Sequence, residues 1–116
     1  MLASKYKLKR KDFSSVFSRG KIFHSTLFTL RVFFGKEQGA TPSRFSFVAS
    51  AKVSKKATER NTFKRRGYAI IQKHKTKISS GYLCAFFLKK ESAAAPFKEL
   101  EKEIITVLKR ANVFCV

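Results

Sequence analysis

Acidic residues are scarce in this chain: 7 Asp and Glu stand against 26 Lys and Arg in 116 residues, a formal net charge of +19. Like charge at that density repels itself in a compact state unless a polyanion or counterions neutralise it, and it exceeds what solubility needs. A highly negative partner is implied. Cysteine is scarce too. Cys84 and Cys115 lie far apart, show no CxxC spacing and are too few for a disulfide framework or a zinc site, so both are expected to be core thiols. The two histidines, His24 and His74, are lone residues expected to face solvent or phosphate, and they offer no paired arrangement for acid–base cleavage of RNA. The few carboxylates are scattered or gathered near the C-terminus rather than clustered as metal ligands. Neither a catalytic residue nor a metal site is therefore expected within the protein. No apolar run approaches the roughly 18 residues that span a bilayer. The first residues, MLASKYKLKRKDF, also lack the apolar segment of a secretory signal, so a cytoplasmic protein is expected.

What the chain does have is apolar mass. Hydrophobic residues make up 44% and Phe occurs 13 times, enough to offset chain entropy in one folded domain over residues 1–116, of which residues 1–11 are a basic N-terminal segment. The charge is unevenly placed. Residues 1–90 hold 22 Lys and Arg against 3 Asp and Glu, whereas residues 91–116 hold 4 of each. A neutral last segment beside a strongly basic body suggests that one side meets the polyanion while another closes the core.

Hydrophobic spacing predicts the elements. Asp12 precedes Phe13, Val16 and Phe17 at i, i+3, i+4, a short helix starting at Asp12 with Gly20 as the residue just past its end. Residues 21–34 read as one long strand or a hairpin, with Phe28, Leu30, Val32 and Phe34 on one face. GKEQGATPS is a turn, and RFSFVAS alternates Phe45, Phe47 and Ala49 against Ser46, Val48 and Ser50 as a further strand. Between residues 57 and 75, Phe63, Gly67, Ile70 and Ile71 share one helical face while basic residues occupy much of the rest. YLCAFFL is an unbroken apolar run that suits a central strand buried on both faces. After a linker at 92–96, Pro96 opens a last helix with Phe97, Leu100, Ile104, Val107, Leu108 and Ala111 at helical spacing, its acids early and bases late, as the helix dipole favours. The order αβββαβα implies an α+β fold, an α-β sandwich in which strand 45–50, helix 57–75 and strand 82–88 form a βαβ crossover.

The stretch AKVSKKATERNTFKRRGY, residues 51–68, is the most informative. Lys52, Lys55 and Lys56 lead into the basic helix, on which Arg60, Asn61, Lys64, Arg65 and Tyr68 fall on one flank beside the apolar face at about 100° per residue. That helix can dock and bind at once. Arg offers a planar fork for phosphate, Lys a mobile point charge, and Asn a donor and an acceptor for a base edge or a 2′-hydroxyl. A merely solvated basic face would explain the run in a protein of milder charge balance.

ERNTFKRRGY resembles the Arg-Asn-Arg signature helix of bacterial ribonuclease P proteins, and KLKRKDFSSVFSRGK resembles their N-terminal helix; the resemblance runs from about Lys7 to Lys75. It departs at Thr62 and Tyr68, where the family usually has Arg, and at Ala51, where it commonly has Lys. The resemblance implies a left-handed βαβ crossover. It also implies contacts to a catalytic RNA through Lys52, Lys55, Lys56, Arg60, Asn61, Lys64, Arg65 and Tyr68. A cleft for the 5′ leader of precursor tRNA would include Phe13 and Phe17, with Phe28 as a neighbour on the sheet and Arg31 as a weaker candidate. Stacking on such aromatics is worth about 1–3 kcal/mol per base and tolerates any sequence. From spacing alone, Phe at i and i+4 on a helix reads first as core, and the resemblance is what sets the platform reading level with it. On this reading the protein is a subunit of the endoribonuclease that removes tRNA 5′ leaders, with the chemistry and the Mg²⁺ carried by the RNA, and with no DNA or membrane partner. The alternative is a ribosomal or ribosome-assembly protein whose basic face binds ribosomal RNA. A basic peripheral membrane protein fits less well, because the apolar helix faces are needed for a core.

Overall fold

A computed structural model describes residues 6–34, 42–52, 54–89 and 95–114. Most of the GKEQGATPS turn, most of the 92–96 linker, the start of the basic N-terminal segment and Cys115 lie outside the described residues. The elements are α1 (Arg10–Arg19), β1 (Lys21–His24), β2 (Phe28–Phe34), β3 (Arg44–Val48), α2 (Ala57–His74) with a 3₁₀ turn at Lys75–Lys77, β4 (Tyr82–Leu88) and α3 (Phe97–Arg110). This is the αβββαβα order read from the sequence.

The strands form one sheet in the order β1-β2-β4-β3. Residues 21–34 are a hairpin rather than one strand. Its turn is held by the Ser25 N–H donating to the Phe28 carbonyl and by the Leu27 N–H donating to Ser25 Oγ. β4 pairs antiparallel with β2 and parallel with β3, so β3-α2-β4 is a crossover between neighbouring parallel strands. The apolar run YLCAFFL is central, as its pattern implied. Leu83, Cys84, Ala85 and Phe86 are all buried, and burial pushes the Cys84 thiol well above the ordinary cysteine range.

Strand alternation sorts side chains onto two faces. Phe28, Leu30 and Val32 of β2, Phe45 and Phe47 of β3, and Cys84, Phe86 and Leu88 of β4 join Phe63, Ile70 and Ile71 of α2 and Leu100, Ile104, Val107 and Leu108 of α3 in the main core. On the other face Val16 of α1 packs with Leu83 and Ala85, bordered by Leu8, Phe13, Phe33 and Phe87. The molecule is thus a helix, a sheet and two helices in layers.

Two helix ends differ from expectation. α1 starts at Arg10, so Asp12 is its third residue, buried, accepting the Lys9 N–H at 2.9 Å and pairing with Arg44 of β3 at 3.2 Å. An acid at that position satisfies a free amide at the helix start and complements the helix dipole. Gly20 does follow α1, but in extended backbone (φ −75°, ψ 150°) rather than a left-handed one. What requires glycine there is proximity, since a Cβ would lie 2.3 Å from the Val16 carbonyl oxygen.

Candidate nucleic-acid interface

α2 is held against the sheet by Phe63, Gly67, Ile70 and Ile71, which turns its remaining surface outward. Gly67 permits this because the helix crosses β3 where a Cβ would meet the Phe47 ring at 2.4 Å. Asn61, Lys64, Arg65 and Tyr68 then line a groove of about 650 Å³ together with Lys7, Ala69 and Gln72. Asn61, Lys64 and Arg65 are exposed, whereas Tyr68 is half-buried, its ring edge-on to Phe47 at 5.1 Å with the Lys7 ammonium 5.2 Å from its centre. Four of the five residues assigned to this flank of α2 from the sequence are therefore brought together. Lys7 and Gln72 complete the groove, and helical spacing could have found Gln72 but not Lys7.

Arg60 is the exception. It donates through Nη1 to the Ser54 carbonyl at 2.7 Å, and buried Ser54 in turn donates through Oγ to Glu59 at 3.2 Å. One nitrogen of the Arg60 fork is thus spent on pinning the loop to the first turn of α2. That anchorage leaves Lys52, Lys55 and Lys56 exposed around it. Thr62 donates its hydroxyl to the Thr58 carbonyl at 2.8 Å, and Arg66 donates to the Ala95 carbonyl at 3.0 Å on the side facing α3.

The second surface lies between α1 and the opposite face of the sheet. Val16 alone of α1's apolar residues is fully buried; Phe13 is half-buried and Phe17 is 50% exposed. The Phe13 and Phe17 rings stand 6.1 Å apart, and Phe17 lies 5.5 Å from Phe87 of β4. Arg31 reaches across from β2 to sit 4.9 Å from the Phe17 ring, and Arg19 sits 4.9 Å from Phe33. The i, i+3, i+4 stripe whose spacing favours core thus divides, with Val16 in the core and Phe17 at the surface. Phe28 does not belong here. It is fully buried on the other face, edge-on to Phe86 at 5.2 Å, because residues 28 and 31 of one strand necessarily point to opposite sides. Phe33, Phe87 and Arg19 are the residues of this surface that sequence reasoning missed. Phe33 was legible as the alternation partner of Arg31, while Phe87 was hidden in an unbroken apolar run.

Four of the five carboxylates among the described residues are engaged within the fold. Glu101 of α3 accepts hydrogen bonds from Lys73 (2.9 Å) and His74 (2.9 Å), which hold its pKa below the usual carboxylate range. His74 is accordingly half-buried against α3 rather than facing solvent or phosphate. Glu103 accepts from Ser25 (2.7 Å) and Thr26 (3.2 Å) and is lowered chiefly by the Ser25 bond. With Asp12 and Glu59 also engaged internally, Lys73 is the α2 lysine paired with a carboxylate among the described residues, and Lys52, Lys55, Lys56, Lys64 and Arg65 form no ion pair there. Among the described residues no three of His, Cys, Asp and Glu gather in a group that could hold a metal ion. No helix of the described residues is long and apolar enough to cross a membrane.

The family model for ribonuclease P matches residues 2–112. A ribonuclease P protein component from Microcystis aeruginosa is 32% identical over 90% of this chain and 88% of its own length. One from a Pseudanabaena strain is 29% identical over 97% of both. Among solved structures, the RNase P protein of Staphylococcus aureus superposes with a TM-score of 0.82 at 23% identity, covering 94% of this chain and 97% of that one, which is a likeness of fold.

Proposed function

The chain belongs to the ribonuclease P protein family, and from that premise we propose that it binds the catalytic RNA through α2 and its preceding loop and the 5′ leader of precursor tRNA through the α1 cleft. It assists leader removal in the cytoplasm without performing the chemistry. Mg²⁺ is assigned to the RNA.

The observation that supports this best is the pairing of two unlike surfaces on opposite sides of one sheet. The α2 groove and loop present Asn61, Lys64, Arg65, Lys52, Lys55 and Lys56, donors suited to phosphates and 2′-hydroxyls of a structured RNA. The α1 cleft presents Phe17, Phe13, Phe87 and Phe33, with Arg31 laid on the Phe17 ring and Arg19 on the Phe33 ring. Aromatic faces accept any base, and guanidinium groups beside them accept the connecting phosphates, which is what a reader of many different leaders requires. The protein's part is then electrostatic and positional. It lowers repulsion between two RNAs and holds the leader of one of them.

Single-turnover cleavage of a precursor tRNA by the cognate catalytic RNA at low Mg²⁺, with and without the protein, tests the reading. Acceleration with product beginning at the mature 5′ end is expected. Tight RNA binding with no acceleration would reject it in favour of a ribosomal RNA-binding role. In a companion titration, Lys64→Gln or Arg65→Gln should each reduce the slope of log affinity against log salt by about 1, as loss of one phosphate contact demands.

A further inference from the structure

The α2 groove continues, along the N-terminal segment, into a second hollow that the proposed function does not use. The segment at residues 6–8 lies along the free edge of β3, with Lys7 bridged to Phe45 and the Leu8 N–H donating to the Phe45 carbonyl at 2.8 Å. From this segment Lys7 reaches the Tyr68 ring of α2 at 5.2 Å, and from the end of α2 Lys75 returns to the Tyr6 ring at 5.7 Å. The two elements are joined by two reciprocal Lys–Tyr pairs. Each pair borders its own hollow. Lys7 and Tyr68 line the groove of about 650 Å³, while Tyr6 and Lys75 line a smaller one of about 280 Å³ over Phe45, Ile71 and Ile78. Neither lining includes a carboxylate among the described residues.

We propose that these two hollows are consecutive base pockets for unpaired nucleotides of the catalytic RNA, with Tyr68 and Tyr6 as stacking platforms and Lys7 and Lys75 as partners of the flanking phosphates. This rests on the assignment of α2 to the catalytic RNA and extends that contact past the signature residues to the end of the helix. Three features support it. An aromatic ring with an ammonium beside it offers a base a stacking surface and its phosphate a counter-charge in one place. The smaller hollow, at the low end of ligand-pocket volumes, suits one base on an apolar floor rather than a larger ligand. Both tyrosines pack on the core face that carries α2, whereas the aromatic residues of the α1 cleft lie on the other face. The occupant is therefore the RNA that lies on α2 rather than the leader.

The test measures binding of the full-length protein to its cognate catalytic RNA across a salt series, with Tyr6→Leu, Tyr6→Phe, Lys75→Gln and, as reference, Lys64→Gln. Tyr6→Leu should weaken binding about 5- to 150-fold, the range of one base–aromatic stack, while Tyr6→Phe stays near the parent. Lys75→Gln should lower the salt slope by about 1. Lys75 is exposed, so its substitution decides the matter even where Tyr6→Leu does not fold. If Lys64→Gln weakens binding while Tyr6→Leu and Lys75→Gln do not, the two-pocket proposal is wrong and the α2 assignment stands. If Lys64→Gln has no effect either, the α2 assignment itself fails and takes the proposal with it. A third arm compares precursor tRNAs of long and short leader on the assembled holoenzyme. Loss of affinity confined to the long leader on Tyr6→Leu would overturn the choice of RNA.

Discussion

Replacing Gly67 by Ala should destabilise the protein, although alanine is the better helix former. Gly67 sits in the middle of α2, where the exchange by itself would contribute about 1 kcal/mol of stability. The ring below opposes it. A Cβ at position 67 would stand 2.4, 2.5 and 2.7 Å from three carbons of Phe47. Carbon atoms rest at about 3.5–4.0 Å, so helix or ring must withdraw by about 1 Å. The ring has no direction to go: it is stacked on Phe86 at 4.6 Å and 5°, and meets Phe63 at 5.7 Å and Tyr68 at 5.1 Å edge-on. Overpacking of this kind costs about 1–3 kcal/mol. A net loss of up to about 2 kcal/mol remains, and in a domain of this size that lowers Tm by up to roughly 10 °C. Urea and thermal unfolding followed by circular dichroism measure it, with Ala69→Gly on the exposed side of the same turn as the propensity control, expected to cost about 1 kcal/mol. If Gly67→Ala instead gains the full roughly 1 kcal/mol that helix propensity alone would give, α2 does not approach β3 as closely as described and the argument fails.

The two phenylalanines once grouped together should behave oppositely. Phe17→Ala should reduce affinity for precursor tRNA with a leader about 5- to 150-fold while leaving mature tRNA binding and folding near the parent; Phe28→Ala should cost about 3–5 kcal/mol of stability, because it opens a cavity in the main core. Equal loss of leader affinity at matched folded fraction in the two variants would contradict the face assignment. Glu101 gives a pH dependence. Its pKa is lowered by the hydrogen bonds from Lys73 and His74, so its stabilising contribution is present above its ordinary value of 4.5 and is lost as the pH falls through the lowered folded-state value. Glu101→Gln should be less stable than the parent at neutral pH, and the gap should close in acid; urea midpoints across the pH range check this, and a gap that does not change would show that the clasp between α2 and α3 carries no charge-dependent stability.

Local patterns in the sequence determined a great deal of this protein. The order of elements, the central place of residues 82–88, the core stripe of α2 through Gly67 and the neutral structural helix at the end all follow from periodicity and charge, which are properties of neighbours along the chain. The partner class follows from an excess of positive charge that no internal arrangement of seven carboxylates could cancel. Other features depended on which residues meet across the fold. Alternation places Phe28 and Arg31 on opposite faces, but only strand pairing and helix docking decide that α1 covers the face of Arg31 and α2 and α3 the face of Phe28. Helical spacing aligns Phe13, Val16 and Phe17, yet how far α1 tilts on the sheet decides that Val16 is sealed and Phe17 half open. Arg60 looks like its basic neighbours until the loop folds back and offers the Ser54 carbonyl, and His74 looks solvated until α3 brings Glu101 to 2.9 Å. Lys7 meets Tyr68, and Tyr6 meets Lys75, only because the N-terminal segment is pinned to the β3 edge. Each of these is a contact between distant residues, set by packing geometry rather than by the local preferences that a pattern in sequence records.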